Sequence, residues 1–282
     1  MACGGQVPDL VYRHRMKLPE PRDDQDWSRL RQHDVEELWD HSTNPHVATS
    51  YAARLSLLLD RVGARAGAGG RVLDVGCAQG TLGLMLAERG FDVTLLDVRR
   101  TNIEYARARY EHGSVAFQVG LLENSTVPDA HYDVVVCTEV LEHVREPARL
   151  LINLAAKARV GGALCLTTPN ADYWFAHLPT FGGADQRVID ESEANSLDGD
   201  AHRYLYTREE LTALVRGVGL RVEDHGFFLP AWVEGHARTR YLHKVLFRLR
   251  GAITHMSPTI AWPSAVLARH LCSSQWIVAS RT

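Results

Sequence analysis

Three stretches of this 282-residue chain carry residue types at spacings suited to chemistry. Arg71-Val-Leu-Asp-Val-Gly-Cys-Ala-Gln-Gly80 is an apolar run that ends in a glycine turn, and residues 81–90 then read as a helix. A strand, a turn free of bulky Cβ atoms and a helix N-terminus with free N–H groups make a place for a carboxylate or phosphate. Asp97 closes the next apolar run and offers two carboxylate oxygens as acceptors. Cys137-Thr-Glu-Val-Leu-Glu-His143 leaves a further apolar run with acidic and imidazole groups. His202-Arg-Tyr-Leu-Tyr206 adds a second histidine among tyrosines.

The spacing limits what the turn can hold. A dinucleotide fingerprint wants G-x-G-x-x-G, but Ala78 and Thr81 stand where its second and third glycines would fall, and no lysine follows to make a phosphate loop. The D-x-G-C-x-x-G pattern from Asp74 to Gly80 instead resembles motif I of the class I S-adenosylmethionine-dependent methyltransferases. The resemblance continues in order through Asp97, residues 137–143, Gly161-Gly162 and Thr168-Pro-Asn170, over roughly residues 45–230.

What the resemblance implies can be written residue by residue. Gly76, Cys77 and Gly80 bring the backbone close to the methionine end of S-adenosylmethionine, Asp74 supports its ammonium group directly or through water, and Asp97 accepts from the ribose hydroxyls. The backbone of Thr138 and the side chain of Glu139 face the methionine end from the fourth strand. The family usually sets an acid against the adenine amino group after the third strand. Here Leu121 holds that position, so Leu121 or Leu122 is expected to cover an adenine face instead, with Glu123 and Asn124 as polar substitutes or merely a solvated turn.

Composition bounds the class. At 45% hydrophobic and 23% charged residues the chain is ordinary globular material. A formal charge of −3 gives no electrostatic footprint for nucleic acid. The five cysteines stand singly at 3, 77, 137, 165 and 272, without a C-x-x-C pair for zinc and in an odd number, which points to a reducing cytoplasm. No apolar run is long enough to span a bilayer, and the first residues lack the basic and apolar segments of a signal peptide.

The elements that must position these residues alternate strand and helix, the pattern of a mostly parallel sheet with helices on both faces. Strands are expected at 71–75, 92–97, 115–119, 133–138, 163–168, 220–228 and 275–280, giving the α/β, Rossmann-like seven-stranded sheet that the resemblance implies. Helices are expected near 80–89, 101–111 with Thr101 as its cap, and 146–158, and from the capping box Thr207-Arg-Glu-Glu210 to about 218. Residues 1–62 read as an N-terminal arm and lid helices: a loosely held proline-broken arm to residue 26, a helix from Trp27 capped by Asp26, and a second over 47–62. Residues 63–282 read as the cofactor-binding domain, with insertions at 171–203, rich in aromatic and then acidic residues, and at 229–272. In the second insertion Leu242, Val245, Leu246 and Leu249 share a face opposite Arg238, Arg240, Lys244, Arg248 and Arg250. A packed helix with a solvated basic face is favoured there over a membrane-surface helix, and its apolar side suits a substrate pocket or a homo-oligomer contact equally.

The resulting expectation is methyl transfer from a sulfonium to a small-molecule acceptor, with the protein aligning the reactants and keeping water out. A hydroxyl of a sugar, phenol or secondary metabolite leads. A small amine is the runner-up, since the acidic run would suit a cationic acceptor, and a cofactor-binding scaffold without catalysis is the third reading. No metal is needed. A hydroxyl wants a proton acceptor, and His202 is favoured because it ends the first insertion. Tyr204 is carried beside it, and His143, one turn beyond Glu139, is assigned a structural role before a catalytic one.

Overall fold

In the computed structural model the described residues are 14–40, 42–184, 202–230 and 265–282. Seven strands, β1 (Arg71–Val75), β2 (Asp92–Asp97), β3 (Ser114–Val119), β4 (Tyr132–Thr138), β5 (Ala158–Pro169), β6 (Leu220–Pro230) and β7 (Cys272–Arg281), form one sheet in the order β3-β2-β1-β4-β5-β7-β6. β1 to β5 pair in parallel, and β7 runs antiparallel between β5 and β6. The chain builds outward from β1 to β3 and then returns to lay β4 on the other side of β1. The carboxyl ends of β1 and β4 therefore diverge into a crevice, the place where ligands of such sheets collect.

The strands alternate apolar side chains between two buried layers, as a sheet covered on both faces requires. Val72, Val93, Val134, Val136 and Cys165 lie in one layer with Leu55, Leu58, Leu82, Met85 and Ile103, carried by α2 (Pro45–Ala66), α3 (Thr81–Glu88) and α4 (Arg100–Arg109). Leu73, Val135, Cys137, Leu164 and Leu166 lie in the other with Leu151, Leu154, Leu211 and Val215, from α5 (Pro147–Lys157) and α6 (Arg208–Gly217). Each fully buried aliphatic side chain contributes roughly 1.5–3 kcal/mol. Cys77, Cys137, Cys165 and Cys272 are buried. The expected capping box is present, with the Glu210 N–H donating to Thr207 Oγ1 and the Thr207 N–H to Glu210 Oε2.

Several local expectations change. The described part of the N-terminal arm is packed: Met16 is buried, the Arg15 N–H donates to both oxygens of Glu88, and the Lys17 N–H donates to the Arg109 carbonyl. α1 (Gln25–Asp34) is capped by Asp24, whose side chain accepts from the Trp27 N–H, and not by Asp26, which lies inside the first turn. It runs into a π-helical turn, Val35–Trp39, closed by the Asp40 N–H on the Val35 carbonyl at 2.7 Å. α2 is unbroken through residue 62 and belongs to the main core. Thr101 does not cap α4; Arg99 is the N-cap residue and brings no side-chain bond, because a guanidinium has no acceptor, while its backbone N–H donates to Asp97. β5 starts earlier than expected, since Ala158 pairs with Tyr132 before the register shifts across the Gly161-Gly162 bend. α7 (Ala265–Leu271) leads into β7. The acidic run, most of the second insertion with its basic stretch, and the first thirteen residues lie outside the described residues. Among the described residues no helix is long and apolar enough to cross a membrane.

Candidate active site

The turn after β1 is held from below. Gly76 and Cys77 both donate to the Leu96 carbonyl, at 2.8 and 3.3 Å, and the Ala78 N–H donates to Asp97 Oδ2 at 2.9 Å. Gly76 has a φ of 72°, and a Cβ there would stand 2.6 Å from Val140. Gly80 has a φ of 75°, with Ala106 and Leu95 equally close, so neither position admits another residue without displacement. Asp74 lies under the turn, buried and accepting from the Gly83 N–H of α3; burial, then Asp97, pushes its carboxyl up to about 7. Cys77 is a buried thiol whose pKa burial raises.

Asp97 is buried, and its Oδ1 also accepts from the Arg99 N–H at 2.8 Å and Asn102 Nδ2 at 3.1 Å. A carboxylate has about four lone-pair positions. With three taken, it can accept from one further hydroxyl, fewer than the two expected from sequence.

At the end of β4, Thr138 pairs with Thr167, and Glu139 adopts a left-handed φ of 54° that turns the chain over the crevice. Glu139 Oε1 accepts from the Thr167 hydroxyl at 2.8 Å, and its Oε2 stands 3.5 Å from Arg54 Nη2. Arg54 comes from α2, and its Nε is buried without a hydrogen-bond partner among the described residues. Sequence reading missed it. The available signal was an arginine beside the apolar stripe of Tyr51, Leu55 and Leu58.

The N-terminal helices close the other side of the turn. Arg109 is buried between Asp34, at 2.7 Å, the Gln79 carbonyl and the Thr81 hydroxyl, and Gln79 Nε2 donates to Glu37 at 2.7 Å. Burial and then Asp34 push the Glu37 carboxyl up to about 8.

Glu142 is the other residue missed. It sits in the turn Leu141–His143, fully buried; its Oε2 accepts from the Thr168 hydroxyl at 3.0 Å, and its Oε1 has no hydrogen-bond partner among the described residues. His202 Nε2 lies 3.9 Å from that oxygen and His143 Nε2 lies 4.0 Å from it. The two imidazoles meet edge to face at 5.0 Å. Burial, then Glu139, holds the Glu142 carboxyl well above the usual carboxylate range. The segment after His202 is laced to the turn: the Arg203 N–H donates to the Glu142 carbonyl, Arg203 Nε to the His143 carbonyl, and the Tyr206 hydroxyl to the Leu141 carbonyl. Tyr204 is fully buried against Phe181 and Tyr206, and its hydroxyl donates to the Val144 carbonyl. Ligand atoms of Glu142, His143 and His202 lie within 4.8 Å of one another, a spacing that would admit a cation.

The profile of the family described as "Methyltransferase domain" matches residues 47–225. The chain belongs to this family. The ubiquinone biosynthesis O-methyltransferase of Coxiella burnetii is 34% identical over 160 residues, covering 55% of this chain and 65% of the relative, so the match spans less than two thirds of that relative's length. The enzyme of the same name from Xanthomonas axonopodis pv. citri is 34% identical over 198 residues, covering 68% and 76%. Among solved structures, an S-adenosylmethionine dependent methyltransferase from Mesorhizobium loti superposes with a TM-score of 0.54 at 18% identity, covering 83% of this chain and 98% of that one, which shows a shared fold.

The methyltransferase cofactor is S-adenosylmethionine, and the residues present fit it. The turn at Gly76 admits no Cβ, the buried Arg54 Nε lacks a hydrogen-bond partner among the described residues, Asp97 keeps acceptor capacity, and apolar side chains are exposed at the ends of β2 and β3. These groups match, in order across the sheet, the charged methionine end, the ribose and the base. Leu121 is exposed at that edge, whereas Leu122 is buried in the core.

Proposed function

We propose that this methyltransferase transfers the cofactor's methyl group to a phenolic hydroxyl of a small molecule, with His202 taking the proton and Glu142 orienting its imidazole. The observation that carries this reading is the fully buried Glu142 carboxyl oxygen, without a hydrogen-bond partner among the described residues, 3.9 Å from an imidazole at the carboxyl edge. S-adenosylmethionine supplies an electrophilic methyl on a sulfonium. The chain's own part is to hold the acceptor oxygen in line, move its proton to His202 and exclude water. Glu142, whose Oε1 lies 3.9 Å from His202 Nε2, orients the imidazole from its buried side. Arg54 holds the methionine carboxylate, and Asp97 one ribose hydroxyl. Tyr204 and Arg203 act as positioning residues by fixing His202 to the 141–144 turn.

The names of the curated relatives support a hydroxyl over an amine. A phenol, with an ordinary pKa near 10, asks less of a histidine base than a sugar hydroxyl does. The experiment is a panel of phenols, sugars and amines scored by S-adenosylhomocysteine release, followed by His202→Gln and Glu142→Gln on the best acceptor. His202→Gln should lower kcat by about 10²-fold, keep cofactor affinity and abolish the acidic limb of the pH–rate profile, whereas Glu142→Gln should keep that limb and shift its midpoint. Near-normal turnover of His202→Gln from about pH 6 to 8.5 would sink the base assignment and favour an already neutral amine as acceptor. Loss of activity with a chelator, restored by Mg²⁺, would instead assign the cluster to a cation.

A further inference from the structure

We propose that this methyltransferase sets the aliphatic Leu121, and among the described residues no acidic side chain, against the exocyclic amino group of its cofactor's base, and therefore tolerates cofactors altered at that group. The proposal rests on the reading of Asp97 as the ribose anchor.

The placement follows from the sheet. With the ribose at the end of β2, the base can only extend outward over the end of β3, since Asp97 and Val119 are register partners. Val98 is 58% exposed, Val119 41% and Leu121 52%. Isolated exposed apolar residues need no explanation, but three on adjacent strand ends beside a cofactor site form a surface that a planar heteroaromatic ring would cover. Gly120 lies between them with a φ of 146°, its N–H donating to the Asp97 carbonyl at 2.9 Å. Nothing stands within 4 Å of where its Cβ would be, so the backbone leaves room for a ring edge.

Two polar side chains that flank this surface already have partners. Glu123 accepts from Asn153 Nδ2 at 3.4 Å and lies 3.6 Å from Arg149, both on α5. Gln118 Oε1 accepts from the Thr126 hydroxyl at 3.2 Å. An aliphatic side chain gives a purine dispersion contact and apolar cover but cannot distinguish an amino group from hydrogen or an alkylamine. A site that discriminates by a factor of ten or more usually does so because a buried polar group is left unpaired by the wrong ligand. Leu121 leaves nothing unpaired.

The test is calorimetric titration of the full chain with S-adenosylhomocysteine, its 6-deamino purine analogue and its N6-methyl analogue. All three should bind the native protein within about threefold of one another. In Leu121→Asp, a change at an exposed position, the introduced carboxylate should accept from the amino group, so that the deamino analogue binds about tenfold or more weaker than S-adenosylhomocysteine. Asp97→Ala separates this proposal from the reading beneath it. If Asp97→Ala weakens all three ligands and the native protein still rejects the deamino analogue by about tenfold, the proposal falls and the ribose anchor stands. If Asp97→Ala changes no affinity, the ribose lies elsewhere and the base placement falls with it.

Discussion

Arg54 and Glu139 stand 3.5 Å apart across the crevice, one from a helix and one from a strand end in left-handed conformation. Glu139 is the less flexible of the two, because its carboxylate is fixed by Thr167 and its backbone N–H by the Thr167 carbonyl. A non-glycine residue at positive φ is sustained only where its surroundings over-determine it, and such positions gather at functional sites. Arg54 keeps donors for a second anion, which assigns it the cofactor carboxylate. Replacing Arg54 with Gln should then weaken S-adenosylmethionine binding by about 1.5–3 kcal/mol, the range for hydrogen bonds to charged groups. The cofactor KM should rise accordingly while kcat at saturation changes far less. An unchanged KM would remove Arg54 from that role. Asp97 shows the opposite economy of donors and acceptors: most of its capacity shapes the turn, in bonds to Ala78, Arg99 and Asn102.

At the scale of elements, two segments remote in sequence are fastened to the crevice. The 202–206 segment is tied to the 141–144 turn by main-chain and side-chain bonds, which sets His202 over Glu142. The N-terminal helices hold the glycine turn through the Asp34–Arg109 pair and the Glu37–Gln79 bond. The second contact carries a pH dependence. Glu37 binds its proton more tightly in the folded protein, up to about 8, than in the unfolded chain, where a glutamate has a pKa of about 4.3. Its contribution is therefore fully present below the ordinary glutamate range and is lost as pH rises toward 8. The cofactor-free protein should lose thermal stability over that window, and Glu37→Gln should flatten the fall. Asp74 has the same sign and remains in both proteins. Parallel Tm–pH curves for the native protein and the variant would show that Glu37 titrates normally.

At the scale of the molecule, binding at the β1–β4 crevice joins the two halves of the sheet, α2 and the N-terminal segment in one site. Cofactor at about 100 times its Kd should stabilise the fold by about 2.7 kcal/mol, a rise in Tm of roughly 5–10 °C for a chain of this size. Scanning calorimetry with S-adenosylhomocysteine reads this directly, and no shift would mean that the folded chain does not bind it. The order of elements, the strand positions near 71, 92 and 133, the capping box at Thr207 and the turn at Gly76 were all legible in the sequence. Each rests on local periodicity, or on a backbone demand that only certain residues meet. Partners separated by long stretches of chain were not legible: Arg54 against Glu139, Arg109 between Asp34 and Gln79, and the unpaired Glu142 oxygen beneath His202. Nor was the limit on Asp97, whose lone pairs are taken by neighbours that only the folded turn brings to it. Sequence by itself determined which backbone could form the crevice, because that is a matter of sterics and alternation over a few residues. The tertiary structure alone decided which charged groups share it, because a buried charge is set by whatever the fold carries to within a few ångströms.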